Sequence, residues 1–226
     1  MLFDLRGRGR RRTVQAIYLS LAILMGGGLV LFGIGGATSG GLIDAIQGNG
    51  STTNATDVFQ KRVATLEKRV QANPRDAQSW AALADARFQE ATAGANYDQV
   101  NGVYTTKGKA VLRAAAAAWQ RHLALSPDKP NTRVANEMVQ AYGASGLRNY
   151  AEAVKALEYV IDAAPKATYQ QYAQLAVLAH GAKQTRKEKL STQKALDLAP
   201  KSQRKTVAAQ IKAAEQQLDS LPTAPQ

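Results

Sequence analysis

The spacing of four prolines constrains the fold of this chain more than any other feature. From Asp57 onward Ala, Leu, Gln, Lys and Glu dominate and runs of β-branched residues are absent, which favours helices over strands. Pro74, Pro127, Pro165 and Pro200 each follow a short sequence typical of a helix end, and they are 53, 38 and 35 residues apart. The spacing predicts a helical unit of roughly 35 residues that repeats along the chain.

The last unit reads TYQQYAQLAVLAHGAKQTRKEKLSTQKALDLAP. It contains an aromatic, a leucine and a small residue at Tyr172, Leu175 and Ala176, followed by Ala195 and Pro200 near its end. In these positions it resembles a tetratricopeptide repeat, in which the first three residues lie on the first helix and the last two at the end of the second. The first and middle units match more loosely, through Trp80, Leu83, Ala84, Ala115, Trp119 and Pro127, and then through Met138, Val139, Tyr142, Tyr150, Ala153 and Pro165.

The resemblance covers residues 76 to 200, although the first unit carries about 18 extra residues between its helices. It implies an α-solenoid of about three degenerate helical hairpins, each of which buries its apolar face against its neighbours. Helices with a single apolar stripe are expected before and after the hairpins, at about 57–72 and 201–220. The stripes are Phe59, Val63, Leu66 and Val70, and then Val207, Ile211, Ala214, Leu218 and Leu221. The predicted fold is all-α, with a helical domain over 57–221, a C-terminal capping helix and a tail over 222–226.

The N-terminal region predicts a membrane anchor. Residues 13 to 43 carry no charge, and the stretch from Val14 to Gly36 contains eleven Val, Ile, Leu or Phe residues. A helix of about 20 mainly apolar residues is long enough to cross a bilayer. Five arginines precede the span, whereas the next basic residue after it is Lys61. The positive-inside rule therefore predicts that residues 1–12 are cytoplasmic and that the helical domain is extracytoplasmic.

These features divide the N-terminal part into a basic cytoplasmic segment (1–12), a transmembrane helix (13–36) and a flexible linker (37–56) rich in Gly, Ser, Thr and Asn. The expected location is the cell membrane, as a single-pass protein. The alternative is a cleaved signal peptide, because Gly35-Gly36-Ala37 resembles a processing site, although a signal h-region spans only about 7 to 15 residues. Gly36 and Gly40 have a spacing that permits close helix contact, but the pattern indicates no particular oligomeric state.

The composition argues against most catalytic and metal chemistry. The chain has no cysteine, which excludes disulfides, thiolate zinc sites, iron–sulfur clusters and a thiol nucleophile. His122 and His180 lie in separate units without the spacing of paired metal ligands, as is typical of satisfied or exposed helix residues. The segment Gly102–Ala110 fails as a phosphate-binding loop, because it has five residues between its glycines and Ala where Ser or Thr would bind magnesium. We therefore predict no catalytic residue, metal or cofactor.

The resemblance implies instead a concave groove that binds a peptide segment of another protein. In the family this groove is lined by the first helices of the repeats, whose matching positions here are Gln78, Ala81, Asp85, Gln89, Arg133, Asn136, Gln140, Gln170, Ala173, Val177 and His180. Single-span bacterial proteins with such repeats include accessory subunits of the secretion channel and envelope-assembly adaptors. By that likeness the chain is expected to be a membrane-tethered scaffold.

The charge distribution suggests a second function. The chain has a net charge of +12, and residues 166 to 212 contain ten basic residues but only Glu188 and Asp197 as acidic ones. This basic patch consists of Lys183, Arg186, Lys187, Lys189, Lys194, Lys201, Arg204 and Lys205. It suits an acidic peptide, anionic lipid or an envelope polymer. Nucleic acid fits poorly, because the predicted topology is outward and aromatics are not interleaved. The alternative is a solvated face without a ligand.

The long connection in the first unit is the last candidate. Residues 93–108 include Tyr97, Asp98, Asn101 and Tyr104. Loops that a scaffold holds in place often carry function. An extended connection without a partner explains the same residues equally well.

Overall fold

The computed structural model describes residues 52–221, and over that range the chain is all-α apart from one short pair of strands. The fold class is thus confirmed for this part of the chain. None of the helices within 52–221 is long and apolar enough to serve as a membrane span. The predicted cytoplasmic segment, the transmembrane helix, the linker up to residue 51 and the tail over 222–226 lie outside the described residues.

Eight helices occur within residues 52–221. The first begins at Thr52, five residues before the predicted start of the helical domain. A 3-10 turn at Gly94–Asn96 and two strands, β1 (Tyr97–Asp98) and β2 (Val103–Tyr104), separate the second helix from the third. The helices are α1 (Thr52–Ala72), α2 (Ala77–Ala91), α3 (Thr106–Ala124), α4 (Thr132–Tyr142), α5 (Tyr150–Ala163), α6 (Tyr169–Gly181), α7 (Thr185–Leu198) and α8 (Arg204–Asp219).

The four prolines lie in connections, as predicted. Each follows the end of a helix by two or three residues, since α1, α3, α5 and α7 end at Ala72, Ala124, Ala163 and Leu198. Proline has no backbone N–H to donate, so a helix cannot continue through these positions undisturbed. The proline spacing therefore marks the boundaries between successive units.

Short polar side chains fix where the next helices begin. The Asp76 carboxylate accepts hydrogen bonds from the backbone N–H groups of Gln78 and Ser79 at the start of α2. At the start of α6, the Gln171 N–H donates to the Thr168 hydroxyl and the Thr168 N–H donates to the Gln171 side chain, which is a capping box. These caps satisfy backbone donors that the first turn of a helix leaves unpaired.

The helices pack as consecutive hairpins. The pairs α2 with α3, α4 with α5 and α6 with α7 each lie side by side, while α1 packs on α2 and α8 packs on α6 and α7. The turns inside the second and third hairpins share one backbone feature: Arg148 and Lys183 have φ values of 54° and 58°, and each directly precedes the N-cap of the following helix. Recurrence of this left-handed residue at the same position agrees with a repeated unit.

The apolar interior consists of one large cluster and one small cluster. The large cluster runs from α1 to α6 around the buried Leu112, Trp119 and Met138. The small cluster joins α6, α7 and α8 and is built from Ala176, Ala195, Ala199, Val207 and Ile211. The stripes predicted for the leading and closing helices are confirmed in part. Val63 and Val70 are buried in the large cluster, and Val207 and Ile211 are buried in the small one. The other predicted members are only half-buried, namely Phe59, Leu66, Ala214, Leu218 and Leu221.

The long connection of the first unit is a folded β-hairpin. Tyr97 pairs with Tyr104 across the two strands, and their rings meet edge-on at 5.0 Å between centroids. The buried Asn96 amide donates to the Glu90 carbonyl at 2.8 Å. A Cβ on Gly108 would lie 2.0 Å from the Asn96 carbonyl oxygen, so this helix start requires glycine. The connection is therefore part of the packed structure and not an extended loop.

Candidate functional site

A buried carboxylate on α2 holds two arginines from two other helices. Asp85 is 1% exposed, and its Oδ2 lies 2.6 Å from Nη2 of Arg62 on α1 and 2.8 Å from Nη2 of Arg133 on α4. The hydrogen bond to Asp85 is the main cause of a raised pKa at Arg133. The Arg133 side chain is 63% exposed. The buried Asp85 carboxylate thus holds both guanidinium groups in place, and the Arg133 group remains largely exposed to solvent.

A second carboxyl group lies beside this cluster. Glu137 is one turn after Arg133, and its Oε1 lies 3.3 Å from Nη1 of Arg133 and 3.4 Å from the amide nitrogen of Gln89. Burial, followed by the negative charge of Asp85, raises the pKa of Glu137 to about 8. Glu137 is therefore mainly protonated at neutral pH and adds little negative charge beside the two arginines.

The predicted groove residues on α2 and α4 have mixed exposure. Gln78 is exposed and Gln89 is half-buried. Ala81 and Asp85 are each only 1% exposed, so both lie in the interior and neither lines a surface groove. On α4, Arg133, Asn136 and Gln140 are all exposed. They recur at three- and four-residue spacing and so share one side of the helix. We use the name α2–α4 face for Gln89 of α2 and Arg133, Asn136 and Gln140 of α4, together with Arg62 of α1, which shares Asp85 with Arg133.

The predicted groove residues on α6 belong to different surroundings. Ala173 and Val177 are half-buried against the small cluster, to which α8 contributes Val207 and Ile211. Gln170 is exposed at the start of α6, and His180 at its end contacts Asp219 of α8. The closing helix therefore takes up the surface that the α6 positions were expected to offer to a peptide.

Two residues that lie beside Asp85 and Arg133, namely Glu137 and Arg62, were not among the predicted site residues. Glu137 follows Arg133 by four positions, which is the spacing of an ion pair on one helix face, so the sequence carried a usable signal. Arg62 carried none, because it lies on the leading helix, outside the segment that resembles the repeats. Only the packing of α1 on α2 brings Arg62 to Asp85.

The basic patch lies on α7 and the segments beside it, and part of its charge is used within the domain. Lys187 forms an ion pair with Glu158 of α5 at 2.6 Å, and the Lys194 ammonium lies 5.2 Å from the centroid of the Tyr172 ring. Arg204 donates to the Asp197 carbonyl at 3.3 Å. Among the described residues, no ion pair engages four exposed members, namely Arg186, Lys189, Lys201 and Lys205.

His122 is a structural residue, as the sequence predicted. Its side chain is fully buried, its Nδ1 lies 2.7 Å from the Ala77 carbonyl oxygen and its Nε2 accepts from the Asn131 N–H at 3.3 Å. A carbonyl oxygen only accepts, so the proton resides on Nδ1. Both nitrogens are used in holding the α3–α4 connection to the start of α2.

Comparisons of the chain with protein-family models, with curated proteins and with solved structures found no match. The α2–α4 face and the basic patch are therefore the two surfaces whose geometry bears on function.

Proposed function

We propose that this chain is a membrane-tethered adaptor of tetratricopeptide type that binds peptide segments of other extracytoplasmic proteins. The α2–α4 face is the proposed binding surface. Consecutive helical hairpins support the family assignment, and the exposed Arg133, held from beneath by the buried Asp85, is the observation that carries the binding proposal.

The chemistry of the face favours an acidic peptide segment. Arg133 offers a planar guanidinium group that bonds a carboxylate through two parallel hydrogen bonds. Asp85 already holds this group in place, so less side-chain freedom is lost when a ligand binds. Asn136 and Gln140 extend the same exposed side of α4 with amide groups, which both donate to and accept from a peptide backbone.

Crosslinking in intact cells followed by pull-down of the full chain tests this proposal. A variant with Arg133→Ala, Asn136→Ala and Gln140→Ala is expected to lose its specific partner. The matched control is Arg113→Ala with Arg121→Ala, which removes two exposed arginines from α3. If the triple variant retains every specific partner, the α2–α4 face is not the binding surface.

The membrane tether rests on the uncharged stretch from residue 13 to residue 43 and on the five arginines before it. A reporter fused to the C-terminus is expected to be active outside the cytoplasm, and the chain is expected to stay in salt-washed membranes at full length. A cytoplasmic reporter would reverse the proposed orientation. Release of a shortened soluble chain would show a cleaved signal peptide instead.

Binding of a polyanion through the basic patch is the second candidate function. It is favoured by Arg186 and Lys189, which are exposed on α7 next to the exposed Leu190. Filter binding with a polyanion over a salt titration separates it from peptide binding. Affinity governed by counterion release is expected to fall steeply between about 50 and 200 mM salt.

A further inference from the structure

Four polar side chains from three helices meet where the last helix packs against the third hairpin. His180 is at the end of α6, Glu188 is in the first turn of α7, and Glu215 and Asp219 are in the last turns of α8. One ligand atom from each of His180, Glu188 and Glu215 lies within 4.8 Å of the others, and all three residues are half-buried. Imidazole and carboxylate groups are the ligands that zinc takes when thiolates are absent.

The contacts of the His180 ring indicate which nitrogen is free to bind a cation. Nε2 lies 3.1 Å from Asp219 Oδ1, which is hydrogen-bond distance for a ring N–H donor. A neutral imidazole carries one proton, so a proton on Nε2 leaves a lone pair on Nδ1. Metal-binding histidines commonly donate their other N–H to a carboxylate in this way, because that bond sets the ring orientation.

The distance between Nδ1 and Glu188 suits two ligands of one ion. Nδ1 lies 3.6 Å from Glu188 Oε2, which is too long for a hydrogen bond. Two ligands at tetrahedral positions on zinc, with bonds of roughly 2.0 to 2.1 Å, are about 3.4 Å apart. The observed separation is therefore close to what a bridging cation requires.

The charges of the cluster also favour a cation. Glu188, Glu215 and Asp219 contribute three carboxyl groups, and within the described residues Lys183, at 3.8 Å from Asp219, is the only lysine or arginine that forms an ion pair with them. A divalent ion would offset this accumulation of negative charge.

We propose that His180 Nδ1, Glu188 and Glu215 bind one Zn²⁺ ion, with Asp219 orienting the imidazole ring. The ion would join the end of α6, the start of α7 and the end of α8. The closing helix α8 contributes its buried residues, Val207 and Ile211, to the small cluster, whose other three members are alanines. A metal ion would therefore hold the closing helix where the core contributes least.

Calorimetric titration of the purified full chain with ZnCl₂, after treatment with a chelator and its removal, tests the proposal. We expect saturable binding of one equivalent and a higher melting temperature with zinc than without it. Removal of a direct ligand in His180→Ala, Glu188→Gln or Glu215→Gln is expected to weaken binding at least tenfold, since loss of a group that only orients a ligand costs roughly 10- to 100-fold.

Asp197→Asn is the matched control, because Asp197 is an exposed carboxylate on α7 outside the cluster. It is expected to leave zinc affinity unchanged. A circular dichroism spectrum of each metal-free variant verifies that its helices are intact. Absence of saturable binding to the native chain would overturn the proposal, as would native affinity in all three ligand variants or equally tight binding of Mg²⁺, which prefers oxygen ligands.

Discussion

The two ends of the helical stack are held by different interactions. From α1 to α5 the hairpins enclose large buried side chains, among them Trp119, Met138 and Leu157. On α6 the buried Leu175 and Leu178 still belong to the large cluster. Beyond them, the interior between α6, α7 and α8 has Val207 and Ile211 among alanines, and charged contacts surround it. Units with similar spacing in sequence therefore differ in how much apolar surface they bury, and the difference falls on the end that carries the basic patch.

The largest expected effect is the loss of the main core. Trp119→Ala removes a side chain that is 1% exposed and packs against Tyr159, with ring centroids 6.2 Å apart. We expect the free energy of unfolding to fall by about 3 to 5 kcal/mol. Urea unfolding followed by circular dichroism measures it. Trp80→Ala, at a half-buried position against the same cluster, is expected to cost less. A loss within about 0.5 kcal/mol for Trp119→Ala, as at a surface site, would contradict the assignment of Trp119 to the main core.

A mutation in the small cluster is expected to destabilise mainly the helices that form it. Ile211→Ala truncates a side chain that is 4% exposed, and we expect a cost of about 2 kcal/mol, at the low end for such a change. Native-state hydrogen exchange is expected to show lost protection in α7 and α8, with α2 to α5 still protected. Equal loss of protection along the whole stack would remove the distinction between the two ends.

The buried acid of the N-terminal part predicts a pH dependence. The pKa of Glu137 is about 8 in the folded chain against an ordinary value of 4.5, so the folded state keeps a proton that the unfolded state releases. Stability is therefore expected to decline as pH rises from about 4.5 to 8, by at most about 1.4 kcal/mol per pH unit for one proton. Thermal unfolding across this range measures the decline.

Glu137→Gln is expected to remove this contribution, because the amide does not ionise. Glu158→Gln, which changes a more exposed carboxylate on α5, is expected to retain it. If the stability of the native chain and that of the Glu137→Gln variant change in parallel with pH, Glu137 does not titrate as described.

The smallest expected effect concerns the ion pair that links α7 to α5. Lys187 and Glu158 are 2.6 Å apart, but their side chains are 35% and 37% exposed. Solvent screening limits such a pair to about 0.2 to 1 kcal/mol. A double-mutant cycle with Lys187→Ala and Glu158→Ala measures the coupling free energy. A coupling well above this range would mean that charge contacts contribute as much to the C-terminal end as its apolar cluster does.

Composition and periodicity were sufficient to predict that residues 57–221 are helical, and the order of the hairpins was predicted from the resemblance to the repeats. Helix ends and amphipathic faces depend on residues that are close in sequence, so they can be predicted from local patterns. The prolines are one such pattern, and the apolar stripes that contain Val63 and Val70, and Val207 and Ile211, are another. The β-hairpin was missed, although Asn101-Gly102 between two tyrosines is a known turn signal and Gly102 has a φ of 66°.

The candidate sites were harder to predict, because their residues are distant in sequence. The repeat positions identified Asp85 and Arg133, but not that Asp85 is buried, since burial depends on how α1 and α4 pack around α2. His180 was assigned to the groove, whereas its contacts are with Asp219, which lies 39 residues later. Contacts of this kind depend on how the closing helix α8 packs against α6 and α7. Sequence periodicity does not predict which residues of α8 lie next to which residues of α6.

One oxygen atom of Asp85 accepts from arginines on two different helices. A change at position 85 alone removes the carboxylate that Arg62 and Arg133 share, and a change at 62 or 133 alone removes only part of the arrangement. We therefore expect residues 62, 85 and 133 to vary as a group among related chains, so that an acidic residue at 85 accompanies arginine at the other two positions.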